Sequence, residues 1–182
     1  METKSSFYTE EELKGIGLKS YGSNIKISRY ARFYTPGNIS IGDNVRIDDF
    51  CILSGNITIG SHVHISAYVA LYGAMSIVLE DYTGISCKSV IYSAMDDFGG
   101  DYLIGPIHDE SKTNVTGGQV TMRKYSQVGA NCLIFPNVEI KEGAILGACS
   151  MLKENAESWS IYVGIPAIKK KERSKGLLKF II

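Results

Sequence analysis

From Ile41 onward an aliphatic residue recurs every six positions, and this period limits what a chain of 182 residues can fold into. The chain parses as IGDNVR, IDDFCI, LSGNIT, IGSHVH, ISAYVA and LY, led by Ile41, Ile47, Leu53, Ile59, Ile65 and Leu71. After a short offset come Leu79, Ile85 and Ile91. After a long one come Met122, Val128, Ile134, Ile140, Leu146 and Leu152. The residues four places further on are mostly small or aliphatic: Val45, Cys51, Ile57, Val63 and Val69, then Cys132, Val138, Ala144 and Ser150. Gly, Asn, Asp and Ser crowd the positions between and are suited to tight turns.

A period of six fits neither an amphipathic helix nor a plain array of hairpins. It fits short strands that turn a corner every six residues. Three such strands close one coil of a triangular prism whose faces are parallel sheets, with coils stacked about 4.8 Å apart. Each leading aliphatic then points inward and rests on its equivalents above and below. A β-sandwich of short strands is the competing reading, but sandwiches do not hold one register over so many consecutive positions.

The period slips three times. With the faces named A, B and C and Ile41 on A, the steps from Phe33 to Ile41 and from Leu71 to Leu79 are each 8 residues, and the step from Ile91 to Met122 is 31. If Met122 resumes on face A, all three slips fall at the corner between C and A. Loops that share one edge of a repeat protein often build its binding face. The longest, 94–120, is then expected to act as a lid rather than as a tolerated surface bulge. It carries Asp96, Asp97, Asp101, His108, Asp109 and Glu110.

Lys+Arg and Asp+Glu balance at 19 each, which argues against a nucleic-acid surface. The opening METKSSFYTEEELKGIG has no apolar run, so neither a signal peptide nor a membrane span is expected. The cysteines Cys51, Cys87, Cys132 and Cys149 lack CxxC spacing, which points to free thiols and a cytoplasmic protein. Thr9 followed by Glu12 reads as the capping box of a short helix covering the first coil.

The [LIV]-G-x-x-x-x pattern resembles the hexapeptide-repeat acyltransferases over residues 25–167. The resemblance implies an all-β, left-handed parallel β-helix with short N-terminal and C-terminal helices and one long extruded loop. A single acyltransferase domain is expected: an N-terminal cap at 1–22, a β-helix at 23–167 with the loop 94–120, and a C-terminal helix at 168–182. It also implies a homotrimer with active sites between subunits and acetyl-CoA, or another acyl-CoA, as co-substrate. The turns Gly129-Ala130 and Gly147-Ala148 match those that meet the pantetheine in this family. The closing Gly164-Ile165-Pro166-Ala167 turn lies at the same groove, with Ile165 and Pro166 against the coenzyme. Lys153, Lys169 and Lys170 are candidates for its phosphates, or are simply solvated.

YVALYGAMSIVLEDYTGIS and IYSAMDDFGGDYLIGP are similar to N-acyltransferases of nucleotide-linked sugars, such as the dTDP-4-amino-4,6-dideoxyglucose acyltransferases. That likeness implies an amine acceptor, with Ser86 and Asp96 beside it, and a product used in a surface polysaccharide such as lipopolysaccharide or in a glycan. An amine has its own lone pair, so positioning dominates over base catalysis. Two other functions stay open: a sugar O-acetyltransferase using His108 as general base, and a non-catalytic β-helix scaffold. Cys87, where serine is expected, and Ala74-Met75-Ser76, where glycines are usual, depart from the family pattern. His62 and His64 are spaced as His-x-His, which does not match a convergent zinc site, so no metal is expected. On the six-residue register His64 lies beneath Gly84 and close to Ser86, which makes it a further candidate for contact with substrate.

Overall fold

A computed structural model describes residues 5–181. The chain folds as a left-handed parallel β-helix. Face B contains seven parallel strands, beginning at Lys26–Ile27 and Arg46–Ile47 and continuing through His64–Ile65, Gly84–Ile85, Gln127–Val128, Ile145–Leu146 and Ser160–Gly164. All fifteen leading aliphatics are between 0% and 4% exposed and form one column-stacked core. Val45, Cys51, Ile57, Val63, Val69, Cys132, Val138, Ala144 and Ser150 complete it, each at 2% or less.

The three slips do lie at the corner between C and A. Met122 pairs in register with Leu79, which puts it on face A, while Ile91 pairs with Leu71 and Ile134 on face C. The first slip is a short 3-10 turn at Pro36–Asn38. The second is not a loop, because Ala70–Leu79 is one continuous strand pairing with Ile52–Ile59 across the corner. Its two extra residues are absorbed as a register shift between Gly55 and Ile57 on the neighbouring strand. The third slip extrudes residues 94–120, closed at the base where Ala94–Asp96 pairs antiparallel with Val115–Gly117.

Turn residues depart from expectation. The left-handed backbone positions include Asn24, Asn44, Asn131 and Asn137, but also Phe50, His62, Tyr68, Tyr82, Lys88, Tyr125 and Trp159. A non-glycine residue in this conformation costs roughly 1–2 kcal/mol. Stacking between coils offsets the cost. Tyr30, Phe50 and Tyr68 form one ladder, with centroids 5.6 Å and 4.9 Å apart. His62, Tyr82, Tyr125 and Trp159 form another, at 4.6, 5.5 and 6.2 Å.

The N-terminal cap is the helix Glu10–Lys14, with both capping-box hydrogen bonds present and Leu13 buried against the first coil. The expected C-terminal helix at 168–182 is corrected. Ala167–Glu172 is a strand that folds back antiparallel on Ser160–Gly164, and only Gly176–Phe180 forms a short 3-10 turn. Pairing with the open edge satisfies backbone groups that a helix would leave bare, and the lysines along the strand guard the new edge. Residue 182 lies outside the described residues, as do residues 1–4 of the N-terminal cap.

Candidate active site

Face B carries polar groups in register. Arg46 pairs with His64, His64 with Gly84, and Gly84 with Gln127. Gly84 has no side chain, and Gln127 folds over it to donate from Nε2 to the carbonyl of Tyr82 at 3.0 Å. A cavity of about 300 Å³ opens at this level. It is lined by His62, His64, Ser66, Tyr82, Gly84, Ser86 and Gln127, among others. The register therefore does bring His64 beside Ser86.

Sequence reading did not find the partner of His64. Asp48 Oδ2 lies 2.7 Å from His64 Nε2, and Asp48 Oδ1 accepts from Arg46 Nε at 2.6 Å. Partial burial raises the Asp48 pKa, but the hydrogen bonds from His64 and Arg46 outweigh this and hold the carboxyl below its ordinary range. A usable signal was present: Asp48, Ser66 and Ser86 occupy equivalent places one coil apart, each just after its leading isoleucine. His62 is turned the other way, stacked on Tyr82. Among the described residues no group of three His, Cys, Asp or Glu side chains converges as a metal site would.

The acidic residues of the long loop have separate tasks. Asp97 accepts from Gly99 N at 2.7 Å and from Asn114 Nδ2 at 3.1 Å, and these bonds hold its carboxyl below the ordinary range. Asp109 caps the short 3-10 turn through Ser111 N at 2.9 Å. Both brace the loop. Asp96, His108 and Glu110 line a second cavity of about 310 Å³, with Gly105, Pro106, Thr113 and Val115. Asp96 Oδ1 accepts from Gly105 N at 3.3 Å, which ties the carboxylate to the Gly-Pro turn. Within one chain, Ser86 and Asp96 thus line different cavities, Ser86 on face B and Asp96 at the corner between C and A.

The coenzyme candidates lie at the C-terminal end of the prism. Gly129 and Gly147 follow Val128 and Leu146 on face B, directly beyond the Ser86 level. A Cβ added at Gly129 would meet Ala148 N at 2.5 Å, and one at Gly147 would meet Val163 Cγ1 at 2.5 Å. Coil stacking alone therefore demands these glycines, and the result is a flat track without side chains that a narrow pantetheine arm fits. Ala130 and Ala148 follow at the turns. Lys153 and Pro166 line a cavity of about 410 Å³ with Glu154, Ala167 and Ile168. Lys153 Nζ sits 5.3 Å from the Phe135 ring centroid. Ile165 is 71% exposed at the turn, joined to Pro166 by a cis peptide bond. Lys169 is engaged by Glu172 at 2.5 Å, whereas Lys170 is exposed on the return strand.

Residues 38–73 match the model of the bacterial transferase hexapeptide family, described as six repeats. The dTDP-4-amino-4,6-dideoxy-D-glucose acyltransferase of Escherichia coli is 41% identical over 177 residues, covering 96% of this chain and 92% of that protein. Among solved structures, the N-acyltransferase AntD from Bacillus cereus, in complex with dTDP and 3-hydroxybutyryl-CoA, matches with a TM-score of 0.94 and 50% identity. That match covers 97% of this chain and 94% of AntD. A maltose O-acetyltransferase from Clostridium difficile matches at a TM-score of 0.60 and 18% identity over 95% of this chain and 79% of that one, a likeness of fold alone. With this degree of identity over almost its whole length, the chain belongs to the family of hexapeptide-repeat acyltransferases that includes the dTDP-4-amino-4,6-dideoxy-D-glucose acyltransferases.

Proposed function

We propose that this protein transfers an acyl group from an acyl-CoA to the 4-amino group of a dTDP-linked 4-amino-4,6-dideoxy sugar. The observation that carries the reading is the arrangement of face B. A side-chain-free track at Gly129 and Gly147 runs directly into the cavity holding Ser86 and His64. A thioester arriving along the track would end beside an acceptor held in that cavity. The amine nitrogen attacks the thioester carbonyl and forms the amide bond. The C–S bond breaks, and the sulfur leaves with the proton that the nitrogen gives up. Ser86 and Asp96 aim the amine, and proximity supplies most of the rate.

AntD supports this assignment of Ser86 and Asp96. Its structures include variants at a serine and at an aspartate ten residues apart, the separation of Ser86 and Asp96 here. The two side chains line separate cavities of one chain, which supports a site shared between copies. We infer a homotrimer in which the loop 94–120 of one subunit reaches face B of the next. That loop exposes an apolar surface for such packing, with Phe98 at 68% and Ile107 at 87%. Acetyl is the proposed acyl group, and the 3-hydroxybutyryl-CoA bound by AntD makes the four-carbon donor the necessary comparison. The proposed setting is the cytoplasm, where the amide product would feed a surface polysaccharide such as lipopolysaccharide or a glycan. All four cysteines are free, and no described helix is long and apolar enough to cross a membrane.

His108 shares the cavity of Asp96, so the hydroxyl-acceptor reading has a definite test. Asp96→Asn and Ser86→Ala are each expected to lower kcat/KM for the amino sugar by about 10–100-fold. His108→Ala is expected to change it by less than about threefold. Loss of activity in His108→Ala with full activity in Asp96→Asn would reverse the assignment.

A further inference from the structure

The polar stripe of face B continues past Ser86, away from the coenzyme track. Rung by rung it runs from Gly84 and Ser86 to His64 and Ser66, then to Arg46 and Asp48. With rungs about 4.8 Å apart, His64 lies one rung and Arg46 two rungs, roughly 10 Å, from the Ser86 level. One carboxylate joins the two nitrogen-bearing side chains, since Asp48 contacts His64 Nε2 at 2.7 Å and Arg46 Nε at 2.6 Å. The Arg46 guanidinium is braced again by the Phe7 ring, 5.3 Å from its centroid. Both His64 and Arg46 remain 54% exposed at the side chain. Asp48 occupies the Nε edge of Arg46, and among the described residues no carboxylate pairs with the terminal Nη groups.

We propose that Arg46 and His64, tied together by Asp48, form the subsite for the acceptor's diphosphate. The proposal rests on the amine-acceptor reading above. An amine held at Ser86, facing a thioester that arrives from the Gly129 side, places the rest of the acceptor on the opposite side. A hexose ring spans about one rung. The glycosyl phosphate therefore falls at the levels of His64 and Arg46. A guanidinium presents two parallel donors to phosphate oxygens, and fixing its Nε edge preorganises that fork. His64, held through Nε2, adds a polar contact between the sugar and the phosphates. Coenzyme A also carries a diphosphate, but its track runs the other way from Ser86.

Titration calorimetry with thymidine diphosphate and, separately, with coenzyme A tests the assignment on the full-length protein. Arg46→Gln and His64→Gln are each expected to weaken thymidine diphosphate about tenfold and leave coenzyme A unchanged. Asp48→Asn keeps the shape but loosens both partners, and a smaller loss of the same kind is expected. Unchanged coenzyme A affinity serves at once as the folding control and as the discriminator between the two diphosphates. Thymidine diphosphate bound equally well by all variants would overturn the subsite, as would a loss confined to coenzyme A. If the unaltered protein bound no thymidine diphosphate, the nucleotide-sugar reading itself would fall, and the subsite with it.

Discussion

Glu12 joins the N-terminal cap to the second coil face through single atoms. Its carboxylate closes the capping box on Thr9 N at 2.9 Å and accepts both terminal nitrogens of Arg29 at 2.6 Å. The Arg29 hydrogen bonds, followed by the one from Thr9, lower its pKa from the ordinary 4.5 to about 2. A depressed folded-state value means that the contribution is fully present above pH 4.5 and is lost as pH falls toward 2. Glu12→Gln is therefore expected to lower the thermal midpoint at neutral pH. Its difference from the unaltered protein should shrink between those two pH values, as read by melts at each pH. An equal difference at both ends would mean that the pair does not titrate with folding. The same scale shows what a sequence conceals. His64 beside Ser86 followed from counting in sixes, because register alone places Cα atoms on a face. Asp48 as its partner did not follow, because that depends on the direction of a side chain.

Columns of like positions decide which elements form and where they turn. The glycine after a leading aliphatic is a packing requirement, since a Cβ at Gly129 would meet backbone of the next coil, while one at Gly37 would meet nothing within 4 Å. Gly129→Ala is expected to cost about 1–3 kcal/mol in denaturant unfolding, against less than about 0.5 kcal/mol for Gly37→Ala. The aromatic ladders make a parallel case. Phe50 sits between Tyr30 and Tyr68 with φ at 60°, so Phe50→Ala removes both stacks yet keeps the unfavourable backbone. The expected cost is about 1–2 kcal/mol; a neutral substitution would show that stacking does not offset the left-handed turns. Period and slips were legible in the sequence because burial enforces them at every coil. The fate of 168–182 was not, because lysine-rich segments carry no inward pattern and only the free edge of Ser160–Gly164 made Ala167–Glu172 a strand.

At the scale of the whole molecule, a single chain holds two half-sites. Face B supplies the donor track, Ser86 and the Asp48–His64 pair, while the loop supplies Asp96 one corner away. Six-residue counting could place each half but not join them, because nothing in one chain's periodicity encodes how copies meet. Sedimentation equilibrium is expected to give three times the mass of one chain, and Ile107→Asp on the exposed loop should shift it toward single chains and reduce activity together. A fully active single chain would rule out the shared site. The most direct test of the central claim is thiol release from acetyl-CoA with dTDP-4-amino-4,6-dideoxyglucose set against the same sugar bearing a 4-hydroxyl. The expected result is one thiol released per amide formed with the amine, and at least about a hundredfold slower turnover of the hydroxyl sugar. Equal turnover of the two sugars, or release only with the hydroxyl, would contradict an amine-directed acyltransferase.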